Sequence, residues 1–149
     1  MGFSPLSGLT MGTRAGEIDA GAVLHLVNTL GADAATHMLY HDSGLLGLSG
    51  LSADMRTLEQ STSPQAQFAR DHFCYWIARQ AGAMIAAMQG IDGIAFTGGI
   101  GENDAAIRNN VLAQLSWLGN IPAWVIPAAE EQQIARDAIT LLKDHKNAP

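Results

Sequence analysis

The residues best placed to do chemistry lie in Ile91-Asp-Gly-Ile-Ala-Phe-Thr-Gly-Gly-Ile-Gly-Glu-Asn103. Ile94, Ala95 and Phe96 form the short apolar run of a buried strand, and Thr97-Gly98-Gly99-Ile100-Gly101 supplies the permissive backbone of a sharp turn. Asn103 is a helix N-cap type, with Asp104 as a first-turn charge. A strand, a glycine turn and a helix N-terminus can converge backbone N–H groups on an anion. The same pattern also serves as a tight turn with no ligand. It fits neither the dinucleotide fingerprint nor the P-loop.

Other chemistry-bearing residues are scattered. Arg14 stands alone in a glycine-rich lead-in, where a solvated surface group is the ordinary reading. Asp54 and Arg56 read as first-turn residues of a short helix, and Glu130 as an acid favoured by a helix dipole. Cys74, beside Phe73, Tyr75 and Trp76, reads as a small core or flank residue. His37 and His41 are four apart with no third ligand near, so surface or packing roles are expected.

The composition bounds the partners. In 149 residues, 48% apolar and 15% charged, there is material for one globular domain with a core. Net charge is −6, and the longest basic cluster is Lys143 and Lys146 around His145, so nucleic acid is not an expected partner. A lone cysteine favours a reducing compartment. No signal peptide or spanning helix is legible, and the expected location is the cytoplasm.

The elements that must position these residues follow from pattern. Residues 1–18 read as an irregular lead-in. Asp19 caps a helix through Leu30, with Val23, Leu24, Val27 and Leu30 on one face and Gly31 as its stop. A second helix, about Ala34 to His41, follows a cap at Asp33. The Leu/Gly/Ser stretch 41–52 reads as a packed loop, after which Ser52 caps a short helix containing Asp54, Met55 and Arg56. Ser63-Pro64 starts a long helix to Gln89, completing a 63–90 segment. Its stripe is Ala69, Phe73, Trp76, Ile77, Gln80, Met84, Ile85 and Met88, and its small-residue half, 81–87, should be central or at a subunit contact.

In 91–144 the order is strand, helix, strand, helix. After the glycine turn comes a helix with apolar Ile107, Val111, Leu112, Leu115 and Leu118. Ala123 to Ile126 is the second strand, and the last helix runs to about Lys143 with Ile134, Ala138, Leu141 and Leu142 inward. Two parallel strands joined by a right-handed crossover are expected, so the fold class is α/β, mostly helical with a thin sheet.

Several stretches together carry a family resemblance. They are Met1-Gly-Phe-Ser-Pro-Leu-Ser-Gly-Leu9, Met11-Gly-Thr-Arg-Ala-Gly-Glu-Ile-Asp19, Ser43-Gly-Leu-Leu-Gly-Leu-Ser-Gly50, Asp54-Met-Arg56, Phe96-Thr-Gly-Gly-Ile-Gly-Glu-Asn103, and Glu130-Glu131 with Ile134-Ala-Arg136. In this order they closely resemble the C-terminal half of the acetate/propionate kinase family, over nearly the whole chain. The resemblance implies an actin-like, sugar-kinase-like (ribonuclease H-like) ATPase lobe. It implies phosphoryl transfer between ATP and a short carboxylate, giving an acyl phosphate and ADP with Mg²⁺, in a homodimer.

By the same resemblance, Arg14 matches the catalytic arginine, whose planar cation suits the equatorial oxygens of a transferring phosphoryl group. Asp54, Met55 and Arg56 match the nucleotide-contacting Asp-Phe-Arg, with Met in place of the stacking ring. Gly99, Ile100, Gly101, Glu102 and Asn103 match the nucleotide loop, and Glu130 the Mg²⁺-associated glutamate.

The resemblance also has gaps. The family is much longer; this chain is expected to lack the N-terminal lobe, the catalytic aspartate, the phosphoryl-steadying histidine, the His-Leu-Gly-Asn-Gly phosphate loop and three strands of its own lobe. The family's longer insert after Leu118-Gly119 is absent, and its Thr-Asn before the paired glutamates is Ala128-Ala129 here. Three readings stand: an enzyme segment that acts only with a complementary N-terminal half, a non-catalytic nucleotide-binding or dimerisation module, and a structural remnant.

Overall fold

The computed structural model describes residues 2–146; Met1, part of the first matched stretch, lies outside them. Among the described residues, eight α-helices and two strands are ordered α1 (Ala20–Leu30), α2 (Ala32–His41), α3 (Gly44–Ser49), α4 (Met55–Glu59), α5 (Pro64–Met88), β1 (Ile94–Phe96), α6 (Gly98–Asn103), α7 (Ala105–Gln114), β2 (Ala123–Val125) and α8 (Glu130–Lys146), with a 3₁₀ turn at Ser116–Leu118. The strands pair in parallel, Ile94 with Ala123 and Phe96 with Val125, as expected. The fold is that of a mostly helical α/β lobe with a two-stranded sheet.

α5 is the axis. Ser63 caps it by accepting from the Gln65 amide, Pro64 occupies the first turn, and Gln89 ends it in the left-handed region at φ 62°. Ala66, Ala69, Phe73, Cys74 and Ala78 pack with Leu45 of α3, Met55 and Leu58 of α4, and Ile107, Val111 and Leu115 on the α7 side. Cys74 is therefore a core residue. The far half of α5 is not central, which leaves the subunit-contact alternative: Ile85 is buried, but Met84 and Met88 are exposed.

Other expectations need correction. The 41–52 stretch contains a helix, α3, despite its glycines. Gly44 is at φ 64°, and a Cβ there would meet the Met11 carbonyl and the Arg14 backbone within 3 Å. The first amides of α3 are satisfied by the lead-in, Leu45 donating to Met11 O and Leu46 to Gly12 O, both at 2.9 Å. Tertiary hydrogen bonds thus override weak helix propensity. The cap of α4 is Asp54 rather than Ser52, and α2 begins at Ala32 with Asp33 inside its first turn.

α8 starts at Glu130 as its sequence asks, but its apolar stripe is not inward. Ile134, Leu141 and Leu142 are each over 60% exposed, and Ala138 is exposed too. An amphipathic helix takes its direction from a partner, and among the described residues no element covers this face. Nor is the face of α1 deeply buried: Val23 and Val27 are half-buried, Leu24 and Leu30 exposed.

Candidate functional site

The lead-in fixes Arg14 from both sides. Thr13 O accepts from the Ser43 amide, Thr13 Oγ1 donates to Tyr40 O, and the Ala15 amide donates to Leu39 O, all at 3.0 Å. Below them, buried Thr10 donates to Ala15 O at 3.3 Å and lies 3.1 Å from His72 Nε2. The Arg14 backbone is thus held while its side chain, half-exposed, makes only a 3.6 Å contact to Met11 Sδ. Among the described residues no carboxylate pairs with it.

Asp54 caps α4 by accepting from the Arg56 amide at 3.0 Å, and its carboxylate also takes the Arg56 guanidinium at 3.2 and 3.4 Å. The Arg56 hydrogen bonds hold the Asp54 pKa below the ordinary carboxylate value. The pair is solvent-exposed, so its own strength is small and its donors can be re-partnered cheaply.

The glycine stretch is not a loose turn but the six-residue helix α6, followed at once by α7. The cap of α7 is Asp104, accepting from the Ile107 amide at 2.9 Å, and not Asn103. Asn103 lies in the last turn of α6 and donates to Gly99 O at 2.8 Å. An Asn-Asp pair offers two equivalent cap types in sequence, and burial of Asp104 decides between them. Nor do the leading amides all face solvent, because Gly98 N donates to the Glu102 carboxylate at 2.9 Å.

These pieces form two adjoining clefts. One, of about 660 Å³, has Ala53, Asp54, Met55, Arg56, Glu59 and Gln60 on one wall and Gly99, Ile100, Asn103 and Asp104 on the other. The second, of about 560 Å³, sets Gly98 and Gly99 opposite Ala128, Ala129 and Glu130 at the start of α8. Gly99 lies in both. The fold thus gathers Asp54, Met55, Arg56, Gly99, Ile100, Asn103 and Glu130. Gly101, Glu102 and Arg14 line neither cleft.

Met55 is only 4% exposed and belongs to the hydrophobic core, so it forms the floor of its cleft and offers no open face. Gly99 is the reverse case. It has no positive φ, and a Cβ there would meet nothing within 4 Å. Nothing in the fold requires glycine at 99, whereas a ligand approaching the backbone would.

Glu130 and its neighbour Glu131 are exposed carboxylates beside backbone in the second cleft, and no three His, Cys, Asp or Glu side chains among the described residues could hold an ion together. That donor set fits a magnesium ion borne by a nucleotide, which uses one or two protein carboxylates plus phosphate oxygens and water. Sequence reasoning missed Asp104, Glu59 and Gln60 in the first cleft. It also missed Arg108, whose Nη1 donates to the Gly101 and Glu102 carbonyls at 2.9 Å. The only sequence signal for that contact is one Arg six residues beyond Glu102.

Comparison with known proteins bears on this arrangement. The family model described as the acetokinase family matches residues 1–136. The acetate kinase of Nitrobacter hamburgensis is 44% identical over 170 aligned positions, covering 99% of this chain and 42% of that protein. That of Rickettsia akari is 43% identical, covering 95% and 43%. The crystal structure of Porphyromonas gingivalis acetate kinase superposes with TM-score 0.88 at 32% identity, over 95% of this chain and 43% of that one. A propionate kinase from Francisella tularensis gives 0.81 at 34%, over 88% and 40%. The chain spans under half the length of these relatives. The first alignment has more positions than this chain has residues, so that relative carries residues inside the matched region that are absent here.

Proposed function

The chain belongs to the acetokinase family, and on that premise we propose that it is the nucleotide-facing part of a kinase that phosphorylates a short carboxylate. The observation that carries this reading is the cleft that sets Asp54, Met55 and Arg56 against Gly99, Ile100 and Asn103. The adenosine end of ATP or ADP lies there, with the Gly99 backbone close to the ligand and the exposed Arg56 on the opposite wall. The phosphates lead past Gly99 toward Glu130.

Glu130 is the residue that would hold Mg²⁺, which when bound neutralises charge on the phosphate oxygens. Arg14 supplies fixed positive charge to the equatorial oxygens of the transferring phosphoryl group. In the reaction the bond from the γ-phosphorus to the bridging oxygen of ADP breaks. A bond to the carboxylate oxygen of acetate or propionate forms, and ADP leaves. Positioning and electrostatics supply most of the acceleration in such transfers. The groups that position the carboxylate and the γ-phosphate are expected in the length that the relatives have beyond this chain. Alone, the chain is therefore inactive; its protein partner is a complementary N-terminal half or a second copy of the chain, in the cytoplasm.

A second reading, a vestigial nucleotide-binding or dimerisation module, is favoured by Met55, whose burial in the core leaves no flat surface for adenine. Gly99→Val tests both readings. We expect folding stability within about 0.5 kcal/mol of the parent, since the position is open, with nucleotide binding lost. Unchanged ADP binding in that variant would overturn the placement of nucleotide at Gly99 on which both nucleotide-binding readings rest. Acetyl phosphate formed from ATP and acetate by the isolated chain, and abolished by Arg14→Ala, would overturn the need for a complementary half.

A further inference from the structure

Glu102 has its charge already engaged by the chain's own backbone. One carboxylate oxygen, Oε1, accepts from Gly98 N and from Ala128 N, each at 2.9 Å. Those amides belong to the two segments leaving the sheet. The last strand contact is Ile126 N donating to Phe96 O at 2.8 Å. Beyond it the chains would diverge, one into α6 and the other toward α8. The carboxylate bridges them there, two residues past β1 and three past β2. The rest of the residue is equally held, because Arg108 takes both its carbonyl and that of Gly101. A carboxylate is the strongest acceptor a side chain can offer two amides. Ala128 is two residues ahead of Glu130.

We propose that Glu102 is a positioning residue and touches no nucleotide. It holds the β2–α8 turn against the β1–α6 turn, and so sets the separation between the Gly98–Gly99 backbone and Glu130, the two walls of the second cleft. Its effect on metal and nucleotide rests on the proposed function; the clamp itself does not.

Amide hydrogen exchange on the ¹⁵N-labelled chain, with Glu102→Ala and Glu102→Gln, tests the clamp without any ligand. In Glu102→Ala the Gly98 and Ala128 amides should speed up together, by about tenfold or more, while core amides of α5 such as Cys74 stay slow. Glu102→Gln keeps an acceptor oxygen in place and should restore most of the protection. Faster exchange at Gly98 alone, or at neither amide, would overturn the proposal.

ADP titrations with and without Mg²⁺ add the functional arm. The gain in affinity on adding Mg²⁺ should shrink in Glu102→Ala and return in Glu102→Gln. Metal-free ADP binding should stay within about twofold of the parent. Weaker metal-free binding in Glu102→Ala while the Gly98 and Ala128 amides keep their protection would make Glu102 a nucleotide contact and sink the idea. Absence of ADP binding by the parent chain would sink the proposed function instead, leaving the exchange data to decide the clamp.

Discussion

Burial pushes the Cys74 thiol up to about 11 from its ordinary value of 9.0, with Asp71 and Asp104 adding to the shift and Arg70 opposing it. The folded chain keeps the thiol protonated, so this group's contribution to stability is full below pH 9 and is lost as pH rises through 11. Native chain at pH 8 should resist iodoacetamide and react only on unfolding in urea; rapid alkylation of folded chain would contradict the placement. His72 behaves oppositely. Desolvation lowers its pKa from 6.5, in a cleft it shares with Glu17, Asp42 and Trp76. Its folded form resists protonation, so stability should fall as pH drops below 6.5. Urea midpoints at two pH values, about 7.5 and 5.5, should differ more for the parent than for His72→Gln; an equal difference would remove His72 as the cause. At Gly44, both φ and the Met11 carbonyl forbid a side chain. Gly44→Ala should cost about 3 kcal/mol in urea unfolding, mostly by loosening the Arg14 lead-in from α3.

At the scale of elements, the strong local signals were legible. Asp19 and Gly31 bracket α1, Ser63-Pro64 opens α5, and the two apolar runs became β1 and β2. What stayed hidden were α3 and α6, the two glycine-rich helices. Each is held by contacts distant in sequence, the lead-in for one and Ala128 for the other. No periodicity reports such contacts. The candidate site shows the same division: its residue types could be read, but the side-by-side placement of α4 and α6 could not. Cap choice separates the two levels. Asp104→Ala should destabilise by about 1–2 kcal/mol, because it bares the Ile107 amide in a buried position. Asn103→Ala, which loses only an exposed bond to Gly99 O, should cost under about 0.5 kcal/mol. The reverse order in urea unfolding would return the cap to Asn103.

For the whole molecule, the sequence marked the 81–87 half of α5 as central or a subunit contact but took the α8 stripe as inward. Met84 and Met88 on α5, Trp124 and Val125 on β2, Ile126 just beyond it, and the α8 stripe are all exposed, and a parallel sheet ordinarily has both faces covered. The chain should therefore self-associate: light scattering at about 100 µM should give a mass above 15.7 kDa, and a clean monomer would count against this. A nucleotide held between α4 and α6 would be seen by titrating ADP into the ¹⁵N-labelled chain and following every amide. Signals from Ala53–Gln60 and from Gly98–Asp104 should move together and saturate with a Kd of about 0.1–1 mM, roughly −4 to −5.5 kcal/mol. AMP should bind nearly as well, since the adenosine end carries the contact. No movement at about 5 mM ADP, or movement confined to the cleft around Thr10, His72 and Trp76, would contradict that placement.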